Sequence, residues 1–134
     1  MPLQYKIIVV DDNPHDQETI SIAFEKIGYE EPVLFLDTGR KLIRRLDDLE
    51  SVAYPSLVIL DYHMSGLNGM ETLRQIKSNP STAKIPVVVY SNQFLSGERE
   101  QIEKLGAVIC ISKAEHFDVV VEQARFFTKL IGAA

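Results

Sequence analysis

A chain of 134 residues is long enough to bury one continuous apolar core without disulfides or a structural metal. With 46% hydrophobic and 25% charged residues, a formal charge of −5 and no apolar run approaching bilayer length, it excludes a membrane-spanning protein and argues against direct nucleic-acid binding. The single cysteine, Cys110, cannot form an internal disulfide, and Met1 to Lys6 lacks the basic and apolar regions of a secretory leader. A reducing cytoplasm is the expected compartment.

Strand-like and helix-like segments alternate with short connections and no linker, which predicts five βα units in one domain spanning 1–134, with a core from about residue 5 to about 131. The first strand, Lys6 to Val10, is a β-branched run without polar alternation, as in a parallel strand covered on both faces, and it runs into Asp11-Asp12. Asn13-Pro14 has the form of an N-cap followed by the proline allowed at the first helical position; Ile20, Ala23, Phe24 and Ile27 then recur at helical spacing until Gly28 stops the helix. Asp16 suits the positive end of that helix dipole and His15 reads as a surface residue. A second strand, Pro32 to Leu36, leads through Thr38-Gly39 to a helix with an apolar stripe of Leu42, Ile43, Leu46 and Leu49. Its basic group, Arg40-Lys41 and Arg44-Arg45, is balanced by Asp47, Asp48 and Glu50 and reads as a solvated face.

The third strand, Ser56 to Leu60, ends at Asp61, and after a loop Asn68-Gly69-Met70-Glu71 has the pattern of a capping box, with Met70, Leu73 and Ile76 facing inward. The fourth strand, Ile85 to Tyr90, ends at Ser91-Asn92. The helix after it, from Glu98 to Leu105, has only Ile102 and Leu105 as strong apolar anchors and is expected to be the least firmly packed. The fifth strand, Ala107 to Ile111, ends at Ser112-Lys113. The last helix turns Phe117, Val120, Val121, Ala124 and Phe127 inward, and His116 before it reads as exposed. No residues are left for an effector domain, so output is expected to run through a partner.

Strands of a parallel sheet all point one way, so Asp11, Asp12, Asp61, Ser91 and Lys113 are expected to gather at its carboxyl edge. A divalent cation most simply relieves the repulsion of several carboxylates there, and an all-oxygen donor set favours Mg²⁺ over zinc or copper. Beside it, Asp61 has the chemistry of a nucleophile toward phosphorus, Lys113 of a point charge on phosphoryl oxygens, and the Ser91 hydroxyl of a hydrogen-bond donor.

In order and approximate spacing, Asp11-Asp12-Asn13, the segment Leu60-Asp61-Tyr62-His63-Met64-Ser65-Gly66-Leu67-Asn68-Gly69, Ser91-Asn92 and Ser112-Lys113 resemble the receiver domain of two-component response regulators, in particular the single-domain chemotaxis-regulator type. The resemblance implies a flavodoxin-like α/β fold, a doubly wound five-stranded parallel sheet of order 2-1-3-4-5 with five helices. It implies Asp61 as phosphoacceptor, with Mg²⁺ (or Mn²⁺ in its place) bound by the carboxylates of Asp12 and Asp61, the backbone carbonyl of His63 and, through an ordered water, Asp11. It implies a histidine kinase or phosphotransfer protein as donor. A downstream protein would read a surface of the fourth helix, fifth strand and fifth helix, a surface that also leaves a homodimer open. The protein would be a signalling phosphoacceptor rather than an enzyme, and the side chains of His63 and Gln93 occupy places that tune the lifetime of the acyl phosphate in the family.

The sequence departs from the family pattern at several points. Ala114 replaces the proline that usually follows the lysine through a cis peptide; a non-proline cis bond costs about 2.5–4 kcal/mol, so a trans bond and a different loop are expected. Cys110 stands where many receivers carry a Tyr or Phe that swings inward on phosphorylation, and it reads as a small buried residue rather than a reactive thiol. Ser65 and Asn68 replace a usual proline and aspartate; Gly66 and Gly69 still permit the tight loop. The competing readings are a degenerate receiver acting as a phosphorylation-independent binding module and, further off, a haloacid-dehalogenase-like phosphatase. The latter needs a second aspartate where His63 stands.

Overall fold

Runs of β-branched and leucine side chains dominate each strand of the computed structural model, which describes residues 4–64 and 68–132. β1 (Ile7–Val10), β3 (Leu57–Leu60) and β4 (Val87–Ser91) are buried along their whole length, which is why they lack polar alternation. β2 (Val33–Leu36) and β5 (Ile109–Ser112) are partly exposed, as befits edges. All pairs are parallel and the order is β2-β1-β3-β4-β5, with Val10 level with both Leu36 and Leu60 and Ser91 level with Ser112.

Side-chain caps start three of the helices. The Asn13 carboxamide accepts from the amides of His15 and Asp16 at the head of α1 (Pro14–Lys26), Thr38 accepts from Lys41 at α2 (Gly39–Asp48), and Asn68 accepts from Glu71 at α3 (Gly69–Ser78). The predicted capping box at α3 is one-sided, because the Glu71 carboxylate pairs with Arg74 at 2.7 Å. α4 (Glu98–Lys104) and α5 (Phe117–Leu130) have no side-chain cap; a short 3-10 turn, Ser51–Ala53, precedes β3.

The alternation of side chains along each strand feeds two cores. On one face, Ile8, Val10, Val58, Leu60, Val87 and Val89 meet Leu42 and Leu46 of α2, Leu73 and Ile76 of α3 and Ile102 of α4. On the other, Ile7, Val9, Leu57, Ile59, Val88 and Tyr90 meet Ile20 and Phe24 of α1 and Val120, Ala124 and Phe127 of α5. Full burial of each large side chain contributes roughly 1.5–3 kcal/mol, so the strands are held from both sides and the residues just past their ends inherit a fixed register. The last helix differs from expectation at its start: Phe117 is 39% exposed, because the first turn of α5 lies at the rim past the end of β5, where no sheet covers it. Met70 and Leu105 are likewise only partly buried. No helix among the described residues is long and apolar enough to cross a membrane.

Candidate functional site

The sheet's ladder continues one residue beyond the strands. The Asp11 amide donates to the Leu36 carbonyl and the Asp61 amide to the Val10 carbonyl, each at 2.9 Å, while the Lys113 amide donates to the Ser91 carbonyl at 2.8 Å. These bonds set Asp11 beside Asp61 at the carboxyl edge and bring Lys113 back over them. Asp11 is 4% and Asp61 7% exposed; Asp12 lies at the surface, and Ser91 is buried at the end of β4.

The Lys113 ammonium, with only 7% of its side chain exposed, lies 2.6 Å from Asp11, 2.8 Å from Asp16 and 3.3 Å from Asp61. One cation thus faces three carboxylates. Burial pushes the Asp11 carboxyl up to about 6, against the hydrogen bond from Lys113 and that from the Asn13 amide. Burial also pulls the Lys113 ammonium down, but the hydrogen bonds to Asp11 and Asp16 and the charge of Asp61 outweigh it and hold the ammonium above its usual range. The Lys113 shift follows from an imbalance, an excess of anions around a single ammonium, whereas the Asp11 shift comes first from burial.

That imbalance also tests the site for a metal. Asp11, Asp12 and Asp61 each offer a carboxylate oxygen, and the three oxygens lie within 4.8 Å of one another. The donor set is all oxygen and anionic, which fits a hard divalent cation. The His63 amide lies 3.3 Å from Asp61 Oδ1, so the loop after β3 folds back over the same carboxylate.

Lys113 reaches the acids without a cis bond, since there is no cis peptide among the described residues, and the trans Lys113-Ala114 linkage expected from the sequence is present. His63 and Gln93, paired in the sequence reading as positions that tune the acyl phosphate, meet in the structure through the Gln93 backbone: His63 Nε2 is 3.1 Å from the Gln93 backbone carbonyl and 3.8 Å from the Glu98 carboxylate, with the imidazole half exposed. Ser65 and Gly66 lie outside the described residues. Two residues of the site were missed by sequence reasoning. Asp16, assigned only to the helix dipole, contacts Lys113; the available signal is that Asn13 caps α1 and so starts a helical turn directly beside Asp11. Arg99 of α4 donates to the Cys110 carbonyl and the Ser112 hydroxyl, each at 2.8 Å, and lies over the Phe94 ring; no local pattern marks it.

Cys110 itself is buried, and burial is the main reason that its thiol is pushed up to about 11. At pH 8 only about one part in a thousand is thiolate, so alkylation by iodoacetamide is expected to be negligible in the folded protein and rapid in urea. Equal rates in the two conditions, followed by mass, would show that the thiol is open and reactive.

Response regulator receiver domain is the family whose profile matches residues 7–125, and the chain belongs to it. Among curated relatives it is 32% identical to the chemotaxis protein CheV1 of Helicobacter pylori over 87% of this chain and 37% of that protein. To Protein PilH of Pseudomonas aeruginosa it is 30% identical, over 76% of this chain and 79% of PilH. In structure it is similar to a phosphorylated cyanobacterial phytochrome response regulator, RcpA, with a TM-score of 0.85, 24% identity and coverage of 97% and 95% of the two chains. The Mn²⁺-bound response regulator Rcp1 gives a TM-score of 0.79 at 20% identity over 92% of each chain. The flavodoxin-like sheet and helices expected from the sequence are thus those of the receiver family, a component of two-component signalling, and the acidic pocket of Asp11, Asp12 and Asp61 is consistent with phosphorylation and metal binding.

Proposed function

We propose that the chain is a phosphoacceptor receiver that takes a phosphoryl group on Asp61 from a histidine kinase or phosphotransfer protein and signals to a protein partner. The observation that carries this reading is the placement of the Lys113 ammonium against Asp61 beside a second and third carboxylate able to share a cation. An oxygen of Asp61 forms the new bond to phosphorus as the donor's nitrogen–phosphorus bond breaks, and the donor imidazole, already protonated on its other ring nitrogen, takes the bonding pair and leaves neutral. Lys113 neutralises phosphoryl oxygens and the Ser91 hydroxyl donates to one of them. Asp12, Asp61 and the His63 backbone carbonyl, with Asp11 through a water, would hold Mg²⁺, which would screen the carboxylates and offset charge on the phosphoryl oxygens. His63, whose amide meets the Asp61 carboxylate, and Gln93, whose backbone carbonyl the imidazole meets, set the lifetime of the acyl phosphate.

The switch runs from Ser91 through the loop after β4 to α4, whose one fully buried side chain is Ile102, and a partner or a second copy reads the surface of α4, β5 and α5. Kinship with CheV1, named for chemotaxis, supports a cytoplasmic signalling role rather than an enzymatic one. A second reading, a binding module that no longer switches, is favoured by Cys110 in place of an aromatic. Incubation with Mg²⁺ and a small acyl-phosphate donor decides between them. A gain of one phosphoryl group in the intact mass, lost on chelation and absent in Asp61→Asn, is the expected result; no gain from the small donor or from a kinase overturns it.

A further inference from the structure

The geometry points to Asp16 as the residue that positions Lys113 for phosphoryl transfer, holding its ammonium at the acceptor once Asp11 and Asp61 are committed to the cation; the inference rests on the phosphoacceptor reading above. An ammonium has three N–H donors. Here they meet acceptors from three elements: Asp11 after β1, Asp61 after β3 and Asp16 in the first turn of α1. Asp11 and Asp61 also belong to the carboxylate group able to hold a metal, and Asp16 does not. Of the three carboxylates on Lys113, Asp16 is therefore the one left to it when a cation and a phosphoryl group occupy the other two.

Lysine presents its charge on a flexible four-carbon stem, and the chain gives that stem little help. The peptide to Ala114 is trans, so no proline ring fixes the backbone; what holds the base of the side chain is the Lys113 amide on the Ser91 carbonyl and the Gln123 carboxamide on the Ser112 carbonyl. A terminal hold is needed, and Asp16 is itself well anchored. Its amide is bound by the Asn13 side chain at 3.2 Å, and its carboxylate lies at the positive end of α1. Without Asp16 the ammonium is left on Asp11 and Asp61 alone, where it competes with the cation for the same oxygens.

The test compares phosphorylation rates from a small acyl-phosphate donor with Mg²⁺, read by intact mass, in the parent, Asp16→Asn, Asp16→Glu, Lys113→Gln, the Asp16→Asn/Lys113→Gln double variant and Asp61→Asn, with circular dichroism confirming that each is folded. Asp16→Asn is expected to slow the reaction about tenfold and Asp16→Glu, which keeps the charge, to stay within about threefold of the parent. In the Lys113→Gln background Asp16→Asn is expected to cost nothing further, because the two residues act as one unit. A rate for Asp16→Asn within about twofold of the parent, or the same loss in both backgrounds, overturns the inference while leaving Asp61 as acceptor. Failure of the parent itself to gain a phosphoryl group, from the donor or from a kinase, overturns both.

Discussion

Replacing Lys113 with Met is expected to lower the unfolding free energy of the metal-free protein by about 3 kcal/mol at pH 7, the lower end of the range for deleting one partner of a buried ion pair. Asp11 and Asp61 are as buried as the Lys113 side chain, and removing the ammonium leaves both without their counter-charge. The loss stays at the lower end because Asp12 and Asp16 are partly in water. Its pH dependence has a definite sign. Burial raises the Asp11 carboxyl to about 6 in the folded state, above the ordinary carboxylate range, so the folded state takes up its proton first and this carboxyl contributes stability at low pH that is lost as pH rises through about 6. Protonation also removes one of the uncompensated charges in the Lys113→Met variant, so its deficit relative to the parent is expected to shrink at pH 5. Mg²⁺ at pH 7 is expected to restore much of the loss by supplying the missing positive charge. Urea titrations at both pH values, with and without the cation, measure all three effects; a deficit under about 1 kcal/mol at pH 7 would mean that solvent already compensates the acids.

Gly69→Ala is expected to cost about as much through a wholly different cause. A β-carbon at the first residue of α3 would lie 2.5 Å from the Tyr62 Cα and 2.6 Å from the Asp61 carbonyl oxygen, distances that no side-chain adjustment relieves because both atoms are backbone. The Gly69 amide also bonds to the Tyr62 carbonyl at 3.1 Å, so helix and acceptor loop are in direct contact. Overpacking of side chains costs 1–3 kcal/mol, and a clash between backbones is expected at the top, about 3 kcal/mol, with a fall in melting temperature of about 10 °C. Because the yielding atoms belong to Asp61 and Tyr62, the acceptor carboxylate moves with them, and phosphorylation is expected to slow as well. Calorimetry showing a melting temperature within about 2 °C of the parent would contradict the close approach.

The residues that could be read from the sequence and those that could not differ in one physical respect. Strand runs such as Leu57 to Leu60 announce themselves by composition, and the residue ending each run, Asp61 or Lys113, is placed by the ladder alone. The strand order came from resemblance, since nothing in five separate apolar runs says which pairs with which. Asp16 was read by its helix position and so credited to the dipole; its contact with Lys113 depends on the path of a long side chain from the far end of the chain. Arg99 escaped for the same reason, reaching across from α4 to the backbone of Cys110. Phe117 was misplaced because helical periodicity gives the direction of a side chain but not whether anything lies opposite it.

The way α4 is attached bears on how such a protein diversifies. Seven residues long, it is tied down by Ile102 beneath and by Arg99 clasping β5, while Glu100, Gln101, Glu103 and Lys104 lie exposed. Substitutions at those four positions disturb neither core and neither end of the clasp. Descendants of this chain are therefore free to rewrite the chemistry that α4 shows to its surroundings while the sheet and the acidic pocket stay as they are.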